Sequence, residues 1–168
     1  MASGDSLVYF GAQDAILPVS GYATFAAAAY LGTPNGDLYL LYNASGDSAT
    51  FRGVMPRNYS GITGVTINIH TIKTTTSTGL MQWACFFERD NDLNTVMGSD
   101  NFKTCNISAG YANLSTQGQL ATSTQTVANG TNMASVVAGD LFRLKISSAS
   151  SDGVATQRGI FGIEIEET

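Results

Sequence analysis

Charge is scarce in this sequence. Asp, Glu, Lys and Arg make up only 12% of the 168 residues, about half the share of an ordinary globular protein. The eight Lys and Arg residues form no cluster, and the formal net charge is −5. Phosphate backbones are held by grouped cations, so the composition argues against direct nucleic-acid binding. Attachment to an anionic membrane surface is disfavoured for the same reason. No apolar run reaches the length of about 18 residues that a spanning helix needs. The opening stretch from Met1 to Pro18 lacks the basic start and apolar core of a secretory signal, so the chain is expected to be made without a leader.

Cysteine and histidine are equally sparse. Cys85, Cys105 and His70 are too dispersed to give the ligand spacing of a zinc site. Cys85 lies in an apolar run and reads as a core thiol. Cys105 lies in a polar stretch, and both are expected to be free, because a chain of this size buries roughly 70% of its extended surface without a staple. There is no Gly-x-Ser-x-Gly elbow for His70 to serve. None of the thirteen acidic residues sits on an apolar strand face, where a carboxyl would be raised for acid catalysis. No catalytic residue and no cofactor site is expected. The best metal candidate is Asp90, Asp92 and Asn94, which match the first oxygen ligands of a calcium loop. Thr95 then replaces the required turn glycine, and Asn101 replaces the bidentate glutamate, so the match is weak.

What is present is alternation. Thr, Ser, Asn and Gly supply the polarity, and Thr suits a pleated surface because its branched Cβ is stiff. Val65, Ile67 and Ile69 alternate with Thr66, Asn68 and His70, the pattern of a half-buried strand. Met81, Trp83, Cys85 and Phe87 share a face in the next apolar segment. The two segments read as a long hairpin, with Ala84 and Phe86 giving the second strand an apolar outer side that an arm or partner would cover. Further strands are expected at Leu7–Phe10, Leu38–Tyr42, Ala49–Met55, Leu120–Val127, Phe142–Ile146 and Phe161–Ile165. Pro56 stops the Ala49–Met55 strand because it has no N–H to donate. If the last two strands are neighbours, Arg143 and Lys145 face Glu164 and Glu166 across a ladder.

About eight strands with modest loops and no βαβ period predict an all-β antiparallel sandwich, jelly-roll-like in topology. Residues 37–168 are expected to form it. Residues 1–36 read as an N-terminal arm and first edge segment, in which 22–31 is either a helical turn or extended.

One group of segments carries a resemblance. Phe51-Arg52-Gly53-Val54-Met55-Pro56-Arg57-Asn58-Tyr59-Ser60-Gly61, the alternation after it, Met81-Gln82-Trp83, Phe87-Glu88-Arg89 and Ala138-Gly139-Asp140-Leu141-Phe142-Arg143-Leu144-Lys145 occur in order over residues 49–146. They resemble small β-sandwich virion proteins of tailed phages, including cyanobacterial phages, of the capsid cement, decoration or appendage type. The resemblance implies a structural virion protein on the outer surface of the capsid, made in the host cytoplasm. It implies a homotrimer whose partner is the major capsid protein. Tyr22, Phe25, Tyr30, Met55, Arg57 and Tyr59 are the interface residues this reading selects. Two alternatives stay open: an appendage binding host-surface glycan, and a carbohydrate-binding module. Sugar platforms need exposed aromatic rings, for which Tyr22, Tyr30, Tyr39, Tyr42, Tyr59 and Tyr111 are the candidates.

Overall fold

The computed structural model describes residues 4–30, 33–74, 80–90, 101–107, 111–112, 117–149 and 158–168. In chain order the strands are β1 (Ser6–Gly11), β2 (Ala15–Ile16), β3 (Thr24–Tyr30), β4 (Thr33–Tyr42), β5 (Ser48–Val54), β6 (Gly64–Lys73) and β7 (Leu80–Met81). They continue as β8 (Trp83–Arg89), β9 (Lys103–Ile107), β10 (Tyr111–Ala112), β11 (Leu120–Ala128), β12 (Leu141–Ser148) and β13 (Arg158–Glu167). Two single 3-10 turns, Ala12–Asp14 and Thr131–Met133, are the only helical elements among the described residues.

The fold is an all-β sandwich of two antiparallel sheets. The larger runs β11-β6-β13-β4-β3, and β1 also pairs with β13. The smaller runs β2-β5-β12-β8-β9. In the larger sheet β4 and β1 lie end to end along one edge of β13. Tyr42, Leu41 and Leu40 take Arg158–Ile160, and β1 takes Gly162–Glu166. Alternation places one side of each strand between the sheets. Ile67 and Ile69 of β6, Ile163 and Ile165 of β13, Phe87 of β8 and Phe142 and Leu144 of β12 are fully enclosed there. Trp83 meets Tyr42 edge to face at 5.0 Å, and Phe10 packs on Phe51 and Phe142 at 5.5 and 6.2 Å. Such offset ring contacts add to the free energy of the buried area itself. Both cysteines are free thiols.

The N-terminal strands pair into the sandwich: β1 lies along β13, β2 along β5 and β3 along β4. Of the two states open to 22–31, Thr24–Tyr30 takes the extended one, because its edge position on β4 offers ladder bonds that outweigh the helix preference of its alanines. Expectations of strand pairing are corrected. β6 and β8 are not a hairpin; they belong to opposite sheets. Nor are β12 and β13 neighbours. Arg143 instead ion-pairs with Glu88 of β8, and Glu164 lies between Asn68 and Tyr9. Alternation fixes which side of a strand is buried, but each of these strands buries its side equally well from either sheet. The outer side of Phe86 is covered by the chain itself: the Lys145 ammonium sits 4.7 Å from its ring and 4.5 Å from that of Phe102.

Candidate functional site

The outer face of the larger sheet carries a group of rings and hydrogen-bonding side chains centred on His70. β6 is the middle of this region, paired with β11 on one side and β13 on the other. Two rows cross it. Tyr9, Glu164, Asn68 and Thr124 stand opposite one another in the first. Gly11, Gly162, His70 and Thr122 form the second.

The pairing of β13 with β6 slips between Ile160 and Gly162. This bulge leaves Phe161 as an extra residue and re-aims its side chain. The ring is half-buried rather than enclosed, and its centroid is 5.6 Å from that of His70. Tyr9, 57% exposed, reaches across β13 to His70, with ring centroids 6.5 Å apart. Its phenol lies across Gly162, where an added Cβ would meet Tyr9 Cζ at 2.8 Å. Gly159 is covered in the same manner, with a would-be Cβ 2.7 Å from Tyr39 Cδ2. Two glycines on β13 therefore leave room for the rings of Tyr9 and Tyr39 to pass over the strand. Partial burial pushes the Tyr39 phenol up.

The polar groups are held in fixed orientation. His70 Nδ1 and Thr122 Oγ1 are 3.1 Å apart, and His70 Nε2 stands 3.9 Å from Glu164 Oε2. Thr124 Oγ1 donates to Asn68 Oδ1 at 2.8 Å. The His70 and Glu164 side chains are 24% and 28% exposed, enough to reach a ligand while packed neighbours restrict their rotamers. A carboxylate, an amide, an imidazole and two hydroxyls together offer both donors and acceptors. A threonine beside a histidine invites a catalytic reading, but the site lacks its other parts. β6 is paired along both edges, so its N–H groups are spent in the ladders and offer no oxyanion donors. Among the described residues, no three His, Cys, Asp or Glu side chains are grouped closely enough to hold a metal ion.

The residues selected from sequence are dispersed. Tyr22 and Phe25 are 45% and 47% exposed, and Tyr22 bridges to Ser48 at the start of β5. Met55, Arg57 and Tyr59 begin beyond the far end of β5, roughly 20 Å away for a seven-residue strand. Met55 and Tyr59 are core residues, 0% and 4% exposed, and the Tyr59 hydroxyl donates to Met133 Sδ at 3.6 Å. Tyr42 is likewise enclosed, while Arg57 is exposed. Tyr30 lies in β3, but its side chain, like that of Tyr111, falls outside the described set. Asp92 and Asn94 of the calcium candidate lie outside the described residues, and Asp90 is engaged by Arg52 at 2.9 Å. Tyr9 was legible as the outward position of Leu7–Phe10, next to the inward Phe10. Phe161 was not, because strict alternation puts it with Ile163 and Ile165.

Comparison with protein-family models gives no match, and neither does comparison with curated proteins. Solved structures do match. The chain is similar to CsCBM6-3 from Clostridium stercorarium in complex with cellobiose, with TM-score 0.60 and 9% identity over 96% of this chain and 95% of that one. It is similar to a family 35 carbohydrate binding module from Clostridium thermocellum, with TM-score 0.53 and 14% identity over 98% and 100% of the two chains. It also resembles the CBM22-1 xylan-binding domain from Paenibacillus barcinonensis Xyn10C, with TM-score 0.52 and 12% identity over 99% and 96%. At such identities the likeness establishes the fold, a jelly-roll-like sandwich of the kind seen in carbohydrate-binding modules.

These matches overturn the expectation of a phage cement or decoration protein. With it go the major capsid protein as partner, the homotrimer on a shell and the outer capsid surface as location. The physical reason lies in the residues that carried the resemblance. Phe51, Met55, Tyr59, Trp83, Phe87, Phe142 and Leu144 are all buried. They encode the packing of a β-sandwich, which unrelated roles share.

Proposed function

We propose that this chain is a non-catalytic carbohydrate-binding module whose glycan platform is the outer face of the larger sheet around His70. The observation that carries the reading is the placement of the Tyr9 and Phe161 rings beside His70, with centroids 6.5 and 5.6 Å from its own, within a field of Glu164, Asn68, Thr122 and Thr124. A pyranose has apolar C–H faces and a rim of hydroxyls. Ring faces with negative quadrupoles attract the C–H groups, and surrounding acceptors and donors bind the rim. The fold matches support this reading, since the three structures above are named for carbohydrate binding. A module of this fold also occurs joined to a catalytic unit, in an endo-1,4-beta-D-xylanase 10B from Clostridium thermocellum, of which the matched region is 29%. The role that fits is to hold a glycan-degrading partner on polysaccharide outside the cell.

Titration calorimetry and affinity electrophoresis against xylan, soluble β-glucans and cello-oligosaccharides test the proposal. The chain should bind at least one of these. Tyr9→Ala and Phe161→Ala should each weaken binding by about tenfold, the equivalent of losing one stacked ring. Full binding by the double variant would move the site elsewhere, and no binding to any glycan would sink the reading.

A further inference from the structure

Cys85 and Cys105 are neighbours in space although nineteen residues of sequence lie between them. They sit on adjacent strands, β8 and β9. Cys85 pairs with Asn106 and Phe86 with Thr104, so the register slips at this step and Cys105 is the extra residue of a bulge in β9. In a regular ladder the residue before Asn106 would point away from Cys85. The bulge turns it back, and Cys105 packs against the core cluster that contains Cys85. The Cys105 thiol is close enough to bear on the ionisation of Cys85. Cys105 is the chain neighbour of Asn106, the register partner of Cys85, and a bulge sets two residues against one on the facing strand, which keeps the pair within the reach that a disulfide needs. Cys85 is fully enclosed, while Cys105 is half-buried and reachable from solvent.

We infer that Cys85 and Cys105 form an oxidisable pair that closes to a disulfide between β8 and β9. The oxidant is a small disulfide such as oxidised glutathione. The Cys105 thiolate attacks one of its sulfurs, forming a mixed disulfide and releasing one glutathione thiolate, which takes up the proton Cys105 lost. Cys85 then gives up its proton, attacks the Cys105 sulfur and expels the second glutathione thiolate, which is protonated in turn. Two protein thiols are oxidised and one glutathione disulfide is reduced to two thiols. The order follows from access: Cys105 is met first, and Cys85 resolves. Burial pushes the Cys85 thiol well up, so resolution is slow near neutrality and quickens as pH rises. Closure would fasten β9, the edge strand of the smaller sheet, to the sandwich. It is independent of the glycan face, which lies on the other sheet.

The test uses the whole reduced chain, incubated with oxidised glutathione at about pH 8, close to the ordinary range of a thiol. Intact mass should fall by two hydrogens with no glutathione retained, and neither cysteine should be alkylated after unfolding. The melting temperature should rise by roughly 5–10 °C and return on adding dithiothreitol. Cys85→Ser should instead accumulate a single stable glutathione adduct on Cys105. The inference is overturned if both thiols of the wild-type chain remain open to alkylation. It is equally overturned if that chain stops at the glutathione adduct.

Discussion

Tyr9 lies across Gly162, so that a single added carbon on that glycine would meet the phenol ring. Gly162 is buried in the middle of the larger sheet, opposite Gly11 on β1 and His70 on β6. A side chain there cannot be accommodated by a small shift, since both neighbouring strands are hydrogen-bonded to β13. The ring must swing off the sheet. Gly162→Val should therefore displace the Tyr9 ring and reduce glycan binding by about tenfold. Tyr9→Ala combined with Gly162→Val should bind no worse than Tyr9→Ala alone, because both act through one ring. Calorimetry on the four proteins of this cycle checks it. Independent losses that add would show that Gly162 acts on binding by another route.

The end of β13 is tied to the loop that begins at Pro56. Ser60 donates to Glu167 through its hydroxyl and, at 2.8 Å, through its backbone N–H. These two bonds hold the Glu167 carboxyl below its usual range. The unfolded chain keeps an ordinary carboxyl and so takes up a proton at higher pH than the folded chain does. The bonds to Glu167 then stabilise fully above the ordinary carboxylate range, and that contribution is lost as pH falls through the lowered value. Glu167→Gln removes the ionisable group. The gap in melting temperature between wild type and this variant should be widest near neutrality and close as the solution is acidified. Thermal melts over an acid pH series measure it; a constant gap would contradict the assignment.

The alternation of β6, the stop at Pro56 and the inward faces of β8 and β12 are all legible in the sequence, because a strand with one buried side must repeat every second residue. The partner of each strand is not. Arg143 and Lys145 gave an outward face for β12, but Glu88 competes with Glu164 and Glu166 as the acid across the ladder, and only the sheet order decides. The candidate site was half legible. His70, Asn68 and the threonines follow from parity. Phe161 depends on a one-residue bulge, which strict alternation does not place; Gly159 and Gly162 beside it are the kind of strand glycines that mark a bulge or a close approach, without saying which. The resemblance to virion proteins misled for a related reason: its segments record how a sandwich packs, and of the strands they cover only β6 belongs to the sheet that carries the candidate site.

Arg143 and Glu88 form an ion pair with side chains only 18% and 5% exposed. Glu88 also accepts from the backbone N–H of Asn101 at 2.9 Å, and Arg143 lies 5.1 Å from the Phe102 ring. Removing either charge takes a close counter-charge from the other in a poorly solvated place. Glu88→Ala or Arg143→Ala should each cost about 3 kcal/mol. Glu88→Leu with Arg143→Met should cost less than the sum of the two alanine variants, since no charge is left uncompensated and apolar volume is kept. Urea unfolding of the three variants tests the coupling. Additive losses would mean that the two side chains act separately.

Gly64 opens β6 at the point where it meets the end of β11, opposite Ala128. Its φ of +114° lies where side chains are rarely found, and a Cβ would stand 2.8 Å from the Asn129 N and 2.9 Å from the Ala128 Cα. These atoms, with the Val127 carbonyl oxygen beside them, are backbone of β11 and of the residue that follows it. They cannot rotate aside as a side-chain tip can, so the clash adds to the conformational strain. Gly64→Ala should destabilise the chain by more than about 2 kcal/mol. Because Gly64 also accepts the Thr168 backbone N–H at 3.2 Å, the end of β13 should loosen with it. Amide exchange at Val127, Ala128 and Glu167 should therefore rise before exchange elsewhere in the larger sheet. Protection that falls evenly across the sheet would instead point to a global loss with no local opening at this corner.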